Sequence, residues 1–391
     1  MKIKFFNIAK KASPQKNNLL ELQKNLPSFC KLPREEELRE ISSFAKKNKK
    51  WQHILIIGIG GSALPPRTLI EAIPAAKPSS SNYPKFHFLD NLDPTKTTQI
   101  FAQLDWKKTL VIVITKSGNT LETLSNFFVV QQKLGENWQK QVVTITDPEK
   151  GFLRKLSAHE KLQTFEIPPE IGGRFSIFTA VGLIPAALAN LDLQKLLTGA
   201  KSAKTTEAFR FAQIHASEYS RKKNITSLCV YSNALETFTK WWEQLLAESI
   251  GKSNKIGITP QTSIGTNAQH SLLQLWSEGP DDKFFIFLKT KKSNSDLRIS
   301  NPHADFKFLR GKSMQQILNI EMQTTVKSLV EKKRAMAEIE IDKLDEKNLG
   351  HLLQFWMLET YFLGKILQIN PFDQPGVERG KILTRKLLAK N

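Results

Sequence analysis

Residues 109–123 read Thr-Leu-Val-Ile-Val-Ile-Thr-Lys-Ser-Gly-Asn-Thr-Leu-Glu-Thr, and no other stretch restricts the fold as strongly. Leu110 to Ile114 form a short unbroken apolar run, nearly all β-branched, which suits a strand of a parallel sheet covered on both faces. The run passes directly into Thr115, Lys116, Ser117, Gly118, Asn119 and Thr120, which supply hydroxyls, an ammonium and a flexible turn. The spacing of Asn119 and Glu122 predicts a capping box at the start of the next helix. Free N–H groups at such a start attract anions, so the stretch reads as a phosphate cradle. An ordinary strand-to-helix turn, with Ser and Thr only capping, would use the same residue types.

A second turn of this kind narrows the choice. The strand pattern His53-Ile-Leu-Ile-Ile runs into Gly58-Ile-Gly-Gly-Ser-Ala63 and then a helix through about Ala72. These residues match G-x-G-x-x-A, and the next strand, Phe86-His-Phe-Leu, ends in Asp90, where a ribose-binding acid of a dinucleotide site would stand. Against a dinucleotide, Pro65 and Pro66 occupy the first helical turn and Ser62 adds a hydroxyl at its entrance, which suits a lone phosphate. The hydroxyl-rich loop at Thr115 is also unneeded by a dehydrogenase. With Val142-Val-Thr-Ile-Thr as a further strand, the alternation from Trp51 to Thr146 predicts an α/β unit with a parallel sheet, its ligand beyond the strands' carboxyl ends.

Candidate chemistry follows downstream. Gly172-Gly-Arg-Phe-Ser176 presents Arg174 at a helix start, where a cation opposes the dipole and so calls for another reward. Gln244 and Glu248 lie four apart on one predicted helix face. Glu248 falls in that helix's last turn, just before Gly251, where the dipole disfavours a carboxylate and makes it more basic, as a carbon-proton base requires. Gly251-Lys-Ser253 is not a P-loop, because Leu246 stands where its first glycine is needed. His270 follows a polar turn, and the seven histidines lack metal-ligand spacings, so no metal is expected.

Composition excludes several classes. A chain of 391 residues, 40% hydrophobic with 24 Phe and 7 Trp, can bury two domain cores and is not disordered. The net charge of +20 is spread over both termini and the middle, which attracts anions but makes no nucleic-acid arm. Cys30 and Cys229 build no disulfide framework and point to a reducing cytoplasm. The basic start lacks the apolar core of a signal peptide, and no segment reaches membrane-spanning length.

Five motifs then stand in one order: Gly58-Ile-Gly-Gly-Ser62, Thr115-Lys-Ser-Gly-Asn-Thr120, Gly172-Gly-Arg-Phe-Ser176, Gly265-Thr-Asn-Ala-Gln-His270 and Asp373-Gln-Pro-Gly-Val-Glu378. In these the chain resembles the phosphoglucose isomerase family, in a short bacterial form, over about Trp51 to Lys381. The resemblance implies an α/β protein with two sugar-isomerase domains, each a parallel sheet between helix layers, with helical terminal segments. The expected boundaries are 1–50 (helical), 51–195 and 196–347 (the two domains), and 348–391 (C-terminal helices). It implies a cofactor-free aldose–ketose isomerase acting on hexose 6-phosphates, and a homodimer in which the histidine comes from the partner chain. Gly61, Ser62, Thr115, Lys116, Ser117 and Thr120 match the phosphate site, with Lys116 acting through its backbone. Glu248 matches the base of a cis-enediol proton transfer, Arg174 the enediolate stabiliser, His270 and Lys381 the ring-opening pair, and Gln244 and Gln374 polar sugar contacts.

Three departures stand out. Thr115 replaces a common serine, Ile250 replaces a polar residue beside the base, and Ser117-Gly-Asn-Thr120 resembles the loop of dual phosphoglucose/phosphomannose isomerases. The loop makes a dual-specific isomerase the enzyme alternative; a non-catalytic sugar-phosphate sensor is the alternative from another class, against which the joint retention of Glu248, His270, Arg174 and Lys381 argues. A dinucleotide oxidoreductase stands behind both.

Overall fold

Strands that are apolar on both faces must be covered twice, and the chain arranges its helices to do so. The computed structural model describes residues 1–9, 19–73 and 83–390. Its strands are β1 (Lys2–Phe6), β2 (His53–Ile57), β3 (Lys85–Leu89), β4 (Thr109–Thr115), β5 (Val142–Thr146), β6 (Gln163–Glu166), β7 (Ile225–Tyr231), β8 (Thr259–Ile264), β9 (Lys283–Lys292) and β10 (Met336–Lys343). The first sheet is wholly parallel in the order β3-β2-β4-β5-β6. The second runs β8-β7-β9-β10 in parallel, with β1 added antiparallel at the β10 edge. Both sheets reverse their winding beside the first strand of the unit, between β2 and β4 and between β7 and β9. Such a reversal opens a crevice at the carboxyl ends.

Period-two alternation sorts the side chains between cores. Ile54, Ile56, Leu110, Ile112 and Ile114 of the first sheet share one core with Leu228, Val230, Phe284, Ile286 and Leu288 of the second. The opposite faces form two outer cores, one around Leu55, Ile57, Val111, Val113 and Phe127, the other around Cys229, Tyr231, Phe285, Phe287 and Trp276. The helices Leu64–Ala72, Ala180–Leu188, Glu236–Ile250 and Glu346–Ile366 fill the shared core. Through them the two sheets are packed against each other, and this fixes what each presents to the site between them.

Several elements differ from the sequence reading. The segment 1–50 is helical at Leu19–Lys24 and Glu35–Lys47, but Lys2–Phe6 is a strand, because its alternating Ile3 and Phe5 find the open edge of β10. Residues 10–18 of that segment lie outside the described residues. Strands β6 and β8 carry no apolar run. Both are edge strands, and β8 accommodates Pro260 there. Asn119 does not cap the helix Leu121–Leu134: Thr120 is the N-cap without a side-chain cap bond, while Asn119 Oδ1 accepts from the Phe152 N–H at 2.9 Å. Among the described residues no helix is long and apolar enough to cross a membrane.

Candidate active site

The two glycine turns end adjacent strands, so they share one edge of the first sheet. A Cβ on Gly58 would lie 2.9 Å from Ser62 Cβ and 3.1 Å from the Ile114 carbonyl oxygen, so the β2 loop sits directly against the end of β4. There the Thr115 and Thr120 hydroxyls are 2.7 Å apart, and Ser117 Oγ stands 3.5 Å from Thr115 and 3.3 Å from Thr120. Gly118, at φ +65°, makes the turn possible. Lys116 turns its side chain away to donate to the Pro169 carbonyl at 2.6 Å, so only its backbone faces the hydroxyls.

Opposite this edge lies the last turn of the Glu236–Ile250 helix. Glu248 accepts from Gln244 Nε2 at 2.9 Å through Oε1 and from Arg174 Nη1 at 3.0 Å through Oε2. The i, i+4 spacing aligns the first pair. The second joins residues 74 apart in sequence. Gly61 makes the junction: a Cβ there would fall 2.4 Å from the Gly173 carbonyl carbon and 2.8 Å from the Arg174 nitrogen. The two glycines therefore let the backbone of the first glycine turn touch the arginine turn.

Arg174 is 2% exposed and spends all five of its N–H groups on protein. Nε donates to Ser249 Oγ at 2.8 Å, Nη1 to Glu248 and to Gln374 Oε1 at 2.7 Å, and Nη2 to the carbonyls of Pro371 at 2.6 Å and Asp373 at 3.3 Å. The Trp241 indole donates to its carbonyl oxygen at 3.2 Å. Burial pushes the guanidinium's pKa down and the neighbouring Glu248 pushes it back up. Arginine remains charged throughout. The site thus holds a buried fixed cation against a carboxylate that is 32% exposed.

Glu248, Arg174, Gln244 and Gln374 are brought together, with Gly61, Ser62, Thr115, Ser117 and Thr120 on the facing edge. Lys381 lies apart in the exposed terminal helix Glu378–Leu388, paired with Glu378 at 2.7 Å. That helix crosses the hydroxyl loop, because Arg385, four residues on, donates to the Asn119 carbonyl at 3.1 Å. His270 is also exposed. It follows β8, whose Ile264 pairs with Val230 at the carboxyl end of β7, and Gln269 ties its turn to the Met314–Glu331 helix at Glu321 and Thr325. The helix carrying Glu248 starts at that end, and at 1.5 Å per residue the twelve residues from Glu236 put the carboxylate about 18 Å away along it. Glu248 therefore lies at the far end of its helix from the β7 terminus that the His270 turn follows.

Ser249, Lys252, Asp373 and the Pro371 carbonyl were missed by sequence reasoning. Their only signal was adjacency to Glu248 and Gln374. The dinucleotide reading loses its acid, since Asp90 faces Arg67 at 3.4 Å, and its glycine approach is filled by Gly173 and the Gln244 side chain. Among the described residues no group of three or more His, Cys, Asp or Glu is placed to hold a metal.

Comparison with known proteins gives a consistent picture. The family described as phosphoglucose isomerase matches residues 34–391. A glucose-6-phosphate isomerase of Rubrobacter xylanophilus is 38% identical over 383 residues, covering 92% of this chain and 88% of its own. One from Thermus thermophilus is 36% identical over 370 residues, covering 90% and 88%. Among solved structures, a hypothetical protein of Thermus thermophilus superposes with a TM-score of 0.88 at 33% identity, covering 99% of this chain and all of that one. A glucose-6-phosphate isomerase of Chlamydia trachomatis shares the fold, with a TM-score of 0.78 at 24% identity over 91% of this chain and 73% of its own.

Proposed function

The chain belongs to the phosphoglucose isomerase family, and from that premise we propose that it interconverts glucose 6-phosphate and fructose 6-phosphate with Glu248 as the base. The observation that carries the assignment is the Glu248–Arg174 pair facing the hydroxyl loop. The loop of Thr115, Ser117 and Thr120, with Ser62 and the Gly61 backbone, holds the phosphate by hydroxyl and N–H donation, its dianion favoured by the start of the Leu121–Leu134 helix. The other end of the open-chain sugar then reaches Glu248. Its carboxylate removes the C2 proton of the aldose and returns it to C1, through a cis-enediol, while the O2 hydroxyl proton passes to O1, giving the ketose. As the C2–H bond breaks, negative charge grows on the sugar oxygens. The buried Arg174 charge stabilises it without reorganisation, and Gln374 and Gln244 supply the adjoining polar contacts.

Ring opening needs a donor to the ring oxygen and an acceptor at the anomeric hydroxyl. Lys381, one turn from Arg385 on the helix that crosses the phosphate loop, and His270 take these roles. Glu248 lies about 18 Å along its helix from the carboxyl end of β7, the end that the exposed His270 turn follows, and this favours a histidine supplied by a second copy and a homodimer as the active unit. The surface supports this: Leu297, Phe306 and Phe308 are 76%, 52% and 68% exposed, and the terminal helix leaves Ile382, Leu383, Leu387 and Leu388 uncovered. Light scattering should give twice the chain mass. The unpaired thiols of Cys30 and Cys229 fit a cytoplasmic site of action.

Conversion of fructose 6-phosphate in deuterated water tests the reading. Deuterium at C2 of the glucose 6-phosphate product is expected, and the share of mannose 6-phosphate reports how strictly the product face is chosen. Tight phosphosugar binding without turnover would leave only a sensor.

A further inference from the structure

Lys252 follows the base by four residues and stands just beyond the end of its helix, at Gly251. A cation there favours the helix dipole. Its side chain is nevertheless only 10% exposed, which is costly for an ammonium unless it is paired. The Nζ donates to the Asp373 carboxylate at 2.9 Å and to the Asp373 carbonyl oxygen, gripping one residue at two points. Asp373 is followed by Gln374, which accepts from Arg174 Nη1, the same nitrogen that holds Glu248. Arg174 Nη2 in turn holds the Pro371 and Asp373 carbonyls. The 371–374 strap is thus clamped by two cations, Arg174 and Lys252.

We infer that Lys252 is a positioning residue for the isomerisation: by pinning Asp373 it fixes Gln374 and shares in holding the Arg174–Glu248 pair in register with the sugar. The inference rests on the isomerase reading above. Lys252 has no role in binding phosphate, because its ammonium is committed to Asp373. Lys252 also holds the Asp373 carboxyl below its usual pKa range, so the grip persists at neutral pH. Without Lys252, Phe372 keeps its ring contacts with Phe29, Phe175 and Tyr361, but Gln374 is held chiefly by Arg174. Gln374 can then shift, and Arg174 with it, by the fraction of an ångström to which proton transfer is sensitive.

The test is a set of variants read two ways. Steady-state kinetics with fructose 6-phosphate should show Lys252→Met lowering kcat by about tenfold to a hundredfold with KM changed less than about threefold. Lys252→Arg should recover kcat to within about threefold, since a guanidinium can still reach both oxygens. Adding Asp373→Asn to Lys252→Met should cost no more than about a further twofold, as the two residues act on one contact. A rise in KM at unchanged kcat would mean that Lys252 touches substrate and would overturn the proposal, as would full additivity of the two substitutions. Hydrogen exchange of the peptide covering 370–378 provides a second reading that needs no turnover. Faster exchange in Lys252→Met than in the unsubstituted protein is expected, and unchanged exchange refutes the clamp. If the unsubstituted protein did not isomerise fructose 6-phosphate, the functional reading would fail, and the exchange data would still decide whether Lys252 clamps the strap.

Discussion

Glu248→Gln separates the chemistry of the base from its place in the structure. The substitution is nearly isosteric, and its effect on the hydrogen bonds can be worked out. The new amide keeps the bond from Arg174 Nη1, now 3.0 Å, by turning its oxygen to that side. Its NH2 then faces Gln244 Nε2, and a flip of Gln244 resolves the clash by presenting Oε1, a buried acceptor with no protein partner in the native arrangement. What is lost is the charge on the bond to Arg174, which costs about 1.5–3 kcal/mol of stability. Turnover suffers more, because an amide cannot take up the C2 proton. Loss of a general base lowers kcat by about 10²–10⁴-fold, which is about 3–5 kcal/mol of activation free energy. Glu248 makes no bond to the hydroxyl loop proposed to hold the phosphate, so KM should move less than about threefold. A coupled assay for glucose 6-phosphate, with thermal unfolding of both proteins, measures each quantity. A variant that keeps kcat within tenfold, or loses phosphosugar affinity while retaining turnover, would refute Glu248 as the base.

Gly61→Ala should place a methyl group 2.4 Å from the Gly173 carbonyl carbon and force the two loops apart, costing about 1–3 kcal/mol in urea unfolding together with most of the activity. Thr115→Val removes the 2.7 Å bond to Thr120 from a position that is 1% exposed; KM for fructose 6-phosphate should rise about fivefold to tenfold, with a smaller change in kcat. A pH effect is expected away from the site, where His53 Nδ1 lies 3.1 Å from His87 Nε2 on neighbouring strands. Burial, with His53 and Lys85 adding to it, lowers the His87 pKa from 6.5 to about 4. Between these values the unfolded chain binds the extra proton, so stability falls as the pH drops from 6.5 toward 4, by about 2–3 kcal/mol for this group. Urea unfolding at pH 7 and pH 5 should show the drop in the native protein and a smaller one in His87→Gln; equal drops would exclude His87 as the source.

Much of the architecture was legible locally. Runs such as His53–Ile57 and Thr109–Thr115 are buried along their whole length, and only a strand covered on both faces accommodates that. Gly58 to Ser62 and Thr115 to Thr120 follow those strands directly, so their place at a carboxyl edge was implied by chain order alone. The spacing of Gln244 and Glu248 likewise anticipated their bond, since a helix encodes i, i+4 neighbours.

Contacts between distant segments were decided by the tertiary structure. Arg174 meets Glu248 and, 200 residues away, Gln374 because helices from both halves pack into one shared core. No periodicity records such a packing. The same packing consumed every donor of Arg174 and gave Lys252 and Asp373 each other, which their residue types did not announce. Lys2–Phe6 became a strand only because β10 left an edge unpaired.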